Sequence, residues 1–241
     1  MTQQGKRLAF KPHGLYNAEL VFADTETGSV WSLTSGEAMD GPLAGQRLNK
    51  LAVVQTTWAK WKQLHPDTLI VSNRTPHQAH YKPFRWQPRQ LSPVFERTLT
   101  HRDERLGRME LVLAVALGDE RKAYPLSTLK QAGGVVNDVV GGVPIVVFYD
   151  PQTNTAAAYE RTLGKRVLRF ENADRQGERL EAVDTATRSR WNLAGRAESG
   201  RWRGEQLQPV SAHTGAWYAW AAYFPDTKIY TPAARQRGRQ K

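Results

Sequence analysis

The sequence predicts a mainly β (α+β) fold with short helices, built from two related repeat units of which the first is incomplete. Three observations carry this reading. First, the stretch 24–68 recurs at 184–227. With a single one-residue gap near Ser35, Trp31 aligns with Trp191, Gly36 with Gly195, Gly45 with Gly204, Leu48 with Leu207, Trp58 with Trp217 and Trp61 with Trp220. The tripeptide Pro66-Asp67-Thr68 likewise aligns with Pro225-Asp226-Thr227. Self-similarity of this kind sets architecture before any single residue is interpreted. Second, short apolar runs alternate with turns rich in Gly, Pro and Asp, the spacing of strands. Third, helical periodicity is confined to brief segments.

Residues 5–23 read as two strands broken at Pro12 to Gly14, the second covering 19–23. DTETG (24–28) is a hairpin loop, with Asp at its start and Gly where a left-handed residue is needed, and it leads into a strand at 29–33. Arg188 stands where Gly28 stands, so the second turn is expected to be strained or longer. A short strand follows at about 52–55. Thr56-Thr57 then caps the helical run WAKWKQLH, which places Trp58, Trp61 and His65 on one face. Core packing is favoured for these tryptophans and for Trp217 and Trp220, and Phe224 at the His65 position makes His65 a packing residue. Pro66 stops the helix, and a strand at 69–72 follows.

Residues 73–108, polar and rich in Pro, Arg and His, form a linker laid over the surface, because Tyr81, Phe84, Trp86 and Phe95 call for burial. A new unit opens near Met109. ELVLAVAL is a buried strand, 121–125 its hairpin partner, and LSTLKQAG a short helix ending at glycine. VVNDVVGGVPIVVFYD turns at Gly141-Gly142, and a further strand covers 156–160. The expected boundaries are a partial first unit at 1–72, the linker at 73–108, a complete second unit at 109–232, and a basic tail at 233–241. The second copy has a segment (111–161) ahead of the shared portion that the first lacks. Either the protein is rearranged or the chain is the C-terminal part of a longer one.

Composition narrows the function classes. A hydrophobic fraction of 40% with eight tryptophans supports ordinary cores. The absence of cysteine rules out disulfides, thiolate zinc sites and a cysteine nucleophile. No run approaches the roughly 18 apolar residues of a membrane span, and the opening MTQQGKRLAFKPHG has no apolar core of a signal peptide. The formal charge of +11 implies electrostatic affinity for polyanions, but the basic residues are scattered outside AARQRGRQK, which argues against a dedicated nucleic-acid face.

Candidate site residues are few. His77 and His80 are the only close histidine pair, at a spacing that can chelate a metal on one helical turn, yet flanked by Pro76 and Pro83 and without an obvious third ligand. His13, Tyr16 and Asn17 surround a turn that could line a pocket between the units. Trp202, in the unrepeated Arg201-Trp202-Arg203 loop, is the best candidate for an exposed contact. Asp24 and Asp184 start hairpins, where Asp bonds its own turn. No phosphate loop and no motif calling for a cofactor is present.

The runs GLYNAELVFADTETGSVWS, GEAMDGPLAGQRL and TTW..W...HPDT, with AYPL and GGVVNDVVGGVPIVVFYDP, resemble the bacterial and archaeal family called domain of unknown function 3179, over nearly the whole chain. The resemblance implies a complete first repeat upstream, with further AYPL-like and VNDxVGG-like segments, and in many members a Cys-Pro-Leu-Cys or Pro-Leu-Thr-Gly motif and an export signal. It therefore implies an exported or periplasmic setting where such a segment precedes. It carries no activity that transfers to these residues. Two readings stay open: a non-catalytic binding or scaffold module for an unknown small molecule or protein, and an enzyme, such as a hydrolase, with its site between the units at His13, Tyr16 or Asn17.

Overall fold

The computed structural model describes residues 2–3, 6–82 and 91–232. Phe84 and Trp86, expected to be buried, and the basic tail lie outside them. The chain is mainly β, with several sheets and four short helices. A two-stranded ribbon, β1 (Thr2–Gln3) and β2 (Lys6–Arg7), precedes the meander β3 (Phe10–Tyr16), β4 (Glu19–Asp24), β5 (Val30–Ser32) and β6 (Ala38–Asp40). Helix α1 (Trp58–Leu64), a 3-10 turn (Gln78–His80) and α2 (Pro93–Glu96) lead to β7 (Leu111–Leu117), β8 (Glu120–Pro125) and α3 (Leu126–Gln131). Strands β9 (Val135–Val140), β10 (Val143–Asp150) and β11 (Thr155–Glu160) form an antiparallel sheet. After the small ribbon of β12 (Thr162–Leu163) and β13 (Arg166–Val167) comes a second meander: β14 (Phe170–Asn172), β15 (Ala182–Asp184), β16 (Arg190–Trp191) and β17 (Ala197–Ser199). Finally β18 (Ala212–Ala216), α4 (Trp217–Tyr223) and β19 (Lys228–Ile229) complete a sheet of order β18-β7-β8-β19, in which only β19 runs parallel to its neighbour.

The apolar run of β7 explains the layering. Its alternate residues face opposite ways, as the two-residue period of a strand requires. Leu113 and Val115 enter a core with α3, β9 and β10, while Val112 and Ala114 enter a core with Trp217, Trp220 and Ala221 of α4. A third core lies between the far face of β10–β11 and the second meander, around Phe148, Phe170 and Trp191. The first meander keeps a smaller core of Leu8, Trp31 and Ala38.

The two meanders share their turn chemistry. Asp24 accepts from the Thr27 N–H at 2.6 Å, the Thr27 hydroxyl at 2.9 Å and the Trp31 indole at 2.8 Å. Asp184 accepts from the Thr187 N–H at 2.7 Å, the Thr187 hydroxyl at 2.7 Å and the Ser189 N–H at 3.0 Å. Both carboxylates are buried, so their hydrogen bonds offset a desolvation cost that an unpaired group would bear in full. The β10–β11 turn uses a variant of this device, with Asp150 accepting from the Gln152 N–H at 3.0 Å and the Thr153 hydroxyl at 3.1 Å. Each turn needs one left-handed residue: Gly28 at φ 74°, Arg188 at φ 60° and Asn154 at φ 51°. The second hairpin is thus strained rather than longer.

Several expectations are corrected. Residues 52–55 and 69–72 form no strand. No residue of α1 is buried and Trp58 is 47% exposed, whereas Trp217 and Trp220 are fully enclosed. Helix α1 lacks the sheet that covers α4. Tyr81 is exposed, its hydroxyl paired with Thr75. Residues 98–108 instead tie the halves together: Thr98 accepts the Asn17 and Ala18 N–H groups, and Arg105 donates to the carbonyls of Pro225 and Thr227.

We expect Gly28→Arg to lower stability by about 1–2 kcal/mol, the cost of a left-handed side-chain-bearing residue. Arg188→Gly should leave stability unchanged or raise it by up to ~1 kcal/mol, because the exposed Arg188–Glu171 pair that it removes is worth little. Urea unfolding of both variants checks this, and a loss on Arg188→Gly as large as that on Gly28→Arg would contradict it.

Candidate functional site

A cleft of about 570 Å³ opens between the first meander and the β18–α4 corner. Its apolar floor is Val112 and Ala114 of β7 with Trp220 of α4, and Leu33, Leu51 and Val53 also line it. The register explains the space. His213 of β18 sits opposite Ala114 and Gly215 opposite Val112, so small residues flank the imidazole. The His213 ring meets the Trp220 ring edge-on at 5.3 Å. Thr214, paired with Leu113, faces the other side of β18, where its hydroxyl is buried without a hydrogen-bond partner among the described residues.

The polar groups come from the first meander. Glu19 follows directly from the tight β3–β4 turn, where Asn17 and Ala18 both have positive φ. The Thr34 hydroxyl donates to the Glu19 carboxylate, and the Lys50 ammonium donates to the Thr34 carbonyl. Burial raises the Glu19 pKa, with the Thr34 hydrogen bond and Lys50 opposing. Burial, reinforced by the charges of Arg121 and Arg47, brings Lys50 down to about 8. Burial, reinforced by the charge of Lys50, brings His213 down to about 4, so its imidazole is neutral at pH 7. Lys50 and Arg121 also both lie over the Phe224 ring, at 5.6 and 5.4 Å from its centroid. The cleft is therefore an apolar chamber lined by an acid, an amine and a neutral imidazole, with Arg47 and Arg121 in the adjoining cavity close enough to bear on Lys50. Such convergence of shifted groups on a concave surface is the usual mark of a functional site.

The residues named from sequence are dispersed. Tyr16 and Asn17 line an adjoining, more polar cavity of about 490 Å³ together with Arg47 and Arg121. Asn17 is buried and its side chain is committed: it donates to the Ala222 carbonyl at 3.2 Å and accepts from the Thr100 N–H and hydroxyl at 2.9 and 2.7 Å. His13 is exposed on the bulge of β3 and lines neither cavity. Trp202, expected to be an exposed contact, is half-buried against the second meander's core, its outer side covered by Arg201. His77 and His80 sit on an exposed turn with rings 6.2 Å apart, and among the described residues no cluster of three or more His, Asp or Glu could hold a metal.

Glu19, Lys50 and His213 were not singled out in the sequence. They carry no local signal there, since they fall where the aligned stretches differ, as most aligned positions do. In the alignment His213 falls opposite Val54, Lys50 opposite Pro209 and Glu19 opposite Arg179.

Fold and cleft define a mainly β protein with a chamber between the first meander and the β18–α4 corner. The family model described as protein of unknown function (DUF3179) matches residues 2–227, and the chain belongs to that family. No curated protein and no solved structure matches it. Among the described residues no helix is long and apolar enough to cross a membrane.

Two outcomes follow. A histidine held neutral below its unfolded pKa of about 6.5 resists protonation, so the unfolded chain binds more protons at acid pH. Stability should fall as pH drops from about 6.5 towards 4, and His213→Gln should flatten that slope by up to about 3 kcal/mol. An unchanged slope in pH-dependent denaturation would overturn this. Asn17→Ala should cost about 2 kcal/mol by leaving buried groups unpaired, seen as a lower thermal midpoint.

Proposed function

We propose that the protein is a non-catalytic binding module whose ligand occupies the cleft between two related units, a partial one at 1–72 and a complete one at 109–232, joined by 73–108. The ligand class that fits is an apolar body ending in an anionic group. The observation that carries this is the division of the cleft: Val112, Ala114 and Trp220 offer apolar contact, while Lys50 at one end sits in a field made positive by Arg47 and Arg121. An apolar chamber with a few placed polar groups is the general form of small-molecule sites, and an ammonium that already donates to the neutral Thr34 carbonyl has further N–H groups for a stronger, charge-assisted bond to an anion.

A second reading, an enzyme in the same cleft, is favoured by one feature. A carboxyl raised by burial stands near an amine lowered to about 8 and a neutral imidazole, groups suited to proton transfer near neutral pH. The candidate groups are then Glu19, Lys50 and His213 rather than His13, Tyr16 or Asn17.

Calorimetric titration with a medium-chain fatty acid and with its alcohol analogue tests the binding reading. We expect the acid to bind more tightly, to lose about tenfold in affinity on Lys50→Met, and to weaken as pH rises through about 8 and Lys50 loses its proton. Absence of binding by either compound, or binding untouched when Val53→Trp narrows the cleft, would refute it. Turnover in a hydrolase screen that Lys50→Met abolishes would establish the enzyme instead.

A further inference from the structure

One end of the second meander is strongly basic. The Thr185 N–H donates to the Arg169 carbonyl at 2.8 Å, which sets Arg169 beside the Asp184–Ser189 turn that holds Arg188. The Trp202 N–H donates to the Ser189 hydroxyl at 3.2 Å, which seats Arg201 and Arg203 on the same turn. Gly200 permits that seating, because a Cβ there would stand 2.7 Å from the Ser189 Cα. All four arginines are exposed, and Arg201 lies 5.6 Å over the Trp202 ring. Glu171 pairs with Arg188, whereas Arg169, Arg201 and Arg203 form no ion pair among the described residues.

The first meander makes the same contacts without the charge. The Thr25 N–H donates to the Ala9 carbonyl at 2.9 Å and the Leu43 N–H to the Ser29 hydroxyl at 3.0 Å. The positions matching the four arginines are Ala9, Gly28, Pro42 and Ala44, and Glu26 stands where Ala186 stands. Turn closure therefore does not call for arginine. Arg188 even holds a left-handed φ of 60°, which a side chain occupies at a cost and glycine does not. A strained residue that the turn does not need points to a role for its charge.

We infer that this end of the second meander is a docking surface for the anionic face of a phospholipid membrane. Guanidinium groups suit lipid phosphates, which they grip with two parallel hydrogen bonds. The four stand at the tips of adjacent turns and line neither cavity described above. Tips at the end of a sheet meet a plane together, whereas the curved backbone of a duplex falls away from them. Val167, 54% exposed beside the exposed Lys165 and Arg166, adds an apolar contact at the headgroup boundary. The opposite end of the meander offers no such field, since Arg175, Arg179 and Arg196 stand among Asp174, Glu178, Glu181 and Glu198.

The test sediments the full chain with vesicles of equal parts phosphatidylcholine and phosphatidylglycerol, beside vesicles of phosphatidylcholine alone, in about 0.1 M salt. We expect binding to the first and none to the second. Each basic residue at such a surface is worth about fivefold in partition, so Arg169→Gln with Arg203→Gln should weaken binding about 25-fold. Arg175→Gln with Arg196→Gln removes the same charge from the opposite end and should change binding by less than about threefold. Both pairs are exposed, so neither double variant should move the thermal midpoint. Equal losses from the two pairs, or no binding to the anionic vesicles, would overturn the inference. So would tighter binding to a duplex of random sequence at the same salt, lost with Arg169 and Arg203, since the end would then serve a nucleic acid.

Discussion

The structure depends on β7 being buried on both faces. Val112, Leu113, Ala114 and Val115 are all essentially inaccessible, and through them two cores that never touch are fixed to one another. A strand with one solvated face would hold either α3 and the β9–β11 sheet or α4, but not both. Burying four apolar side chains of this size contributes several kcal/mol at roughly 25 cal/mol per Å² of apolar surface. Their sizes matter as much as their number. Ala114 leaves room for the His213 ring, so the residue that closes one core also makes space for the cleft on the same face.

A second constraint is the recurrence of buried aspartates at tight turns. For Asp24, burial alone would raise the carboxyl's pKa. The hydrogen bonds from Trp31 and Thr27 outweigh that effect and hold it below the usual range. Asp150 adds an ion pair to the same arrangement. Lys60 of α1 reaches it at 2.9 Å, and Thr155 donates to Thr56 at 2.8 Å beside it. These contacts, with Leu64 packed against the second meander's core, fix α1 to the C-terminal half although its tryptophans remain uncovered. A helix of seven residues has little stability of its own. Its position is set by this one charged contact and its neighbours.

Much of the fold was legible because its elements announce themselves locally. Asp with Thr three residues on marks three of the hairpins, the Gly141-Gly142 pair marks β9–β10, and ELVLAVAL marks a buried strand. The failures have one physical cause. Residues 52–55 and 69–72 and the tryptophans of α1 carry the same pattern as their counterparts near α4, and a local pattern cannot report whether a covering sheet is present. Trp202 misled for the opposite reason: its arginine-rich setting looks solvated, yet the indole turns inward and its neighbour Arg201 covers it. Tertiary context overrides local signal wherever burial is decided by distant residues.

The cleft was illegible for a related reason. Glu19, Lys50 and His213 are far apart in sequence, none belongs to a motif, and only the meeting of the first meander with β18 brings them together. What the similar stretches 24–68 and 184–227 share is scaffold: the turn aspartates, most of the glycines with positive φ, the indole–threonine bonds. What they do not share includes the groups that line the chamber. A residue that closes a turn meets the same local demand in both stretches, even where the packing around them differs. A cleft residue is needed only where the halves face each other, and each half is free to contribute a different group. Among the described residues, His213 and Lys50, far apart in sequence, meet in a chamber where an acid, a base and an apolar floor coincide.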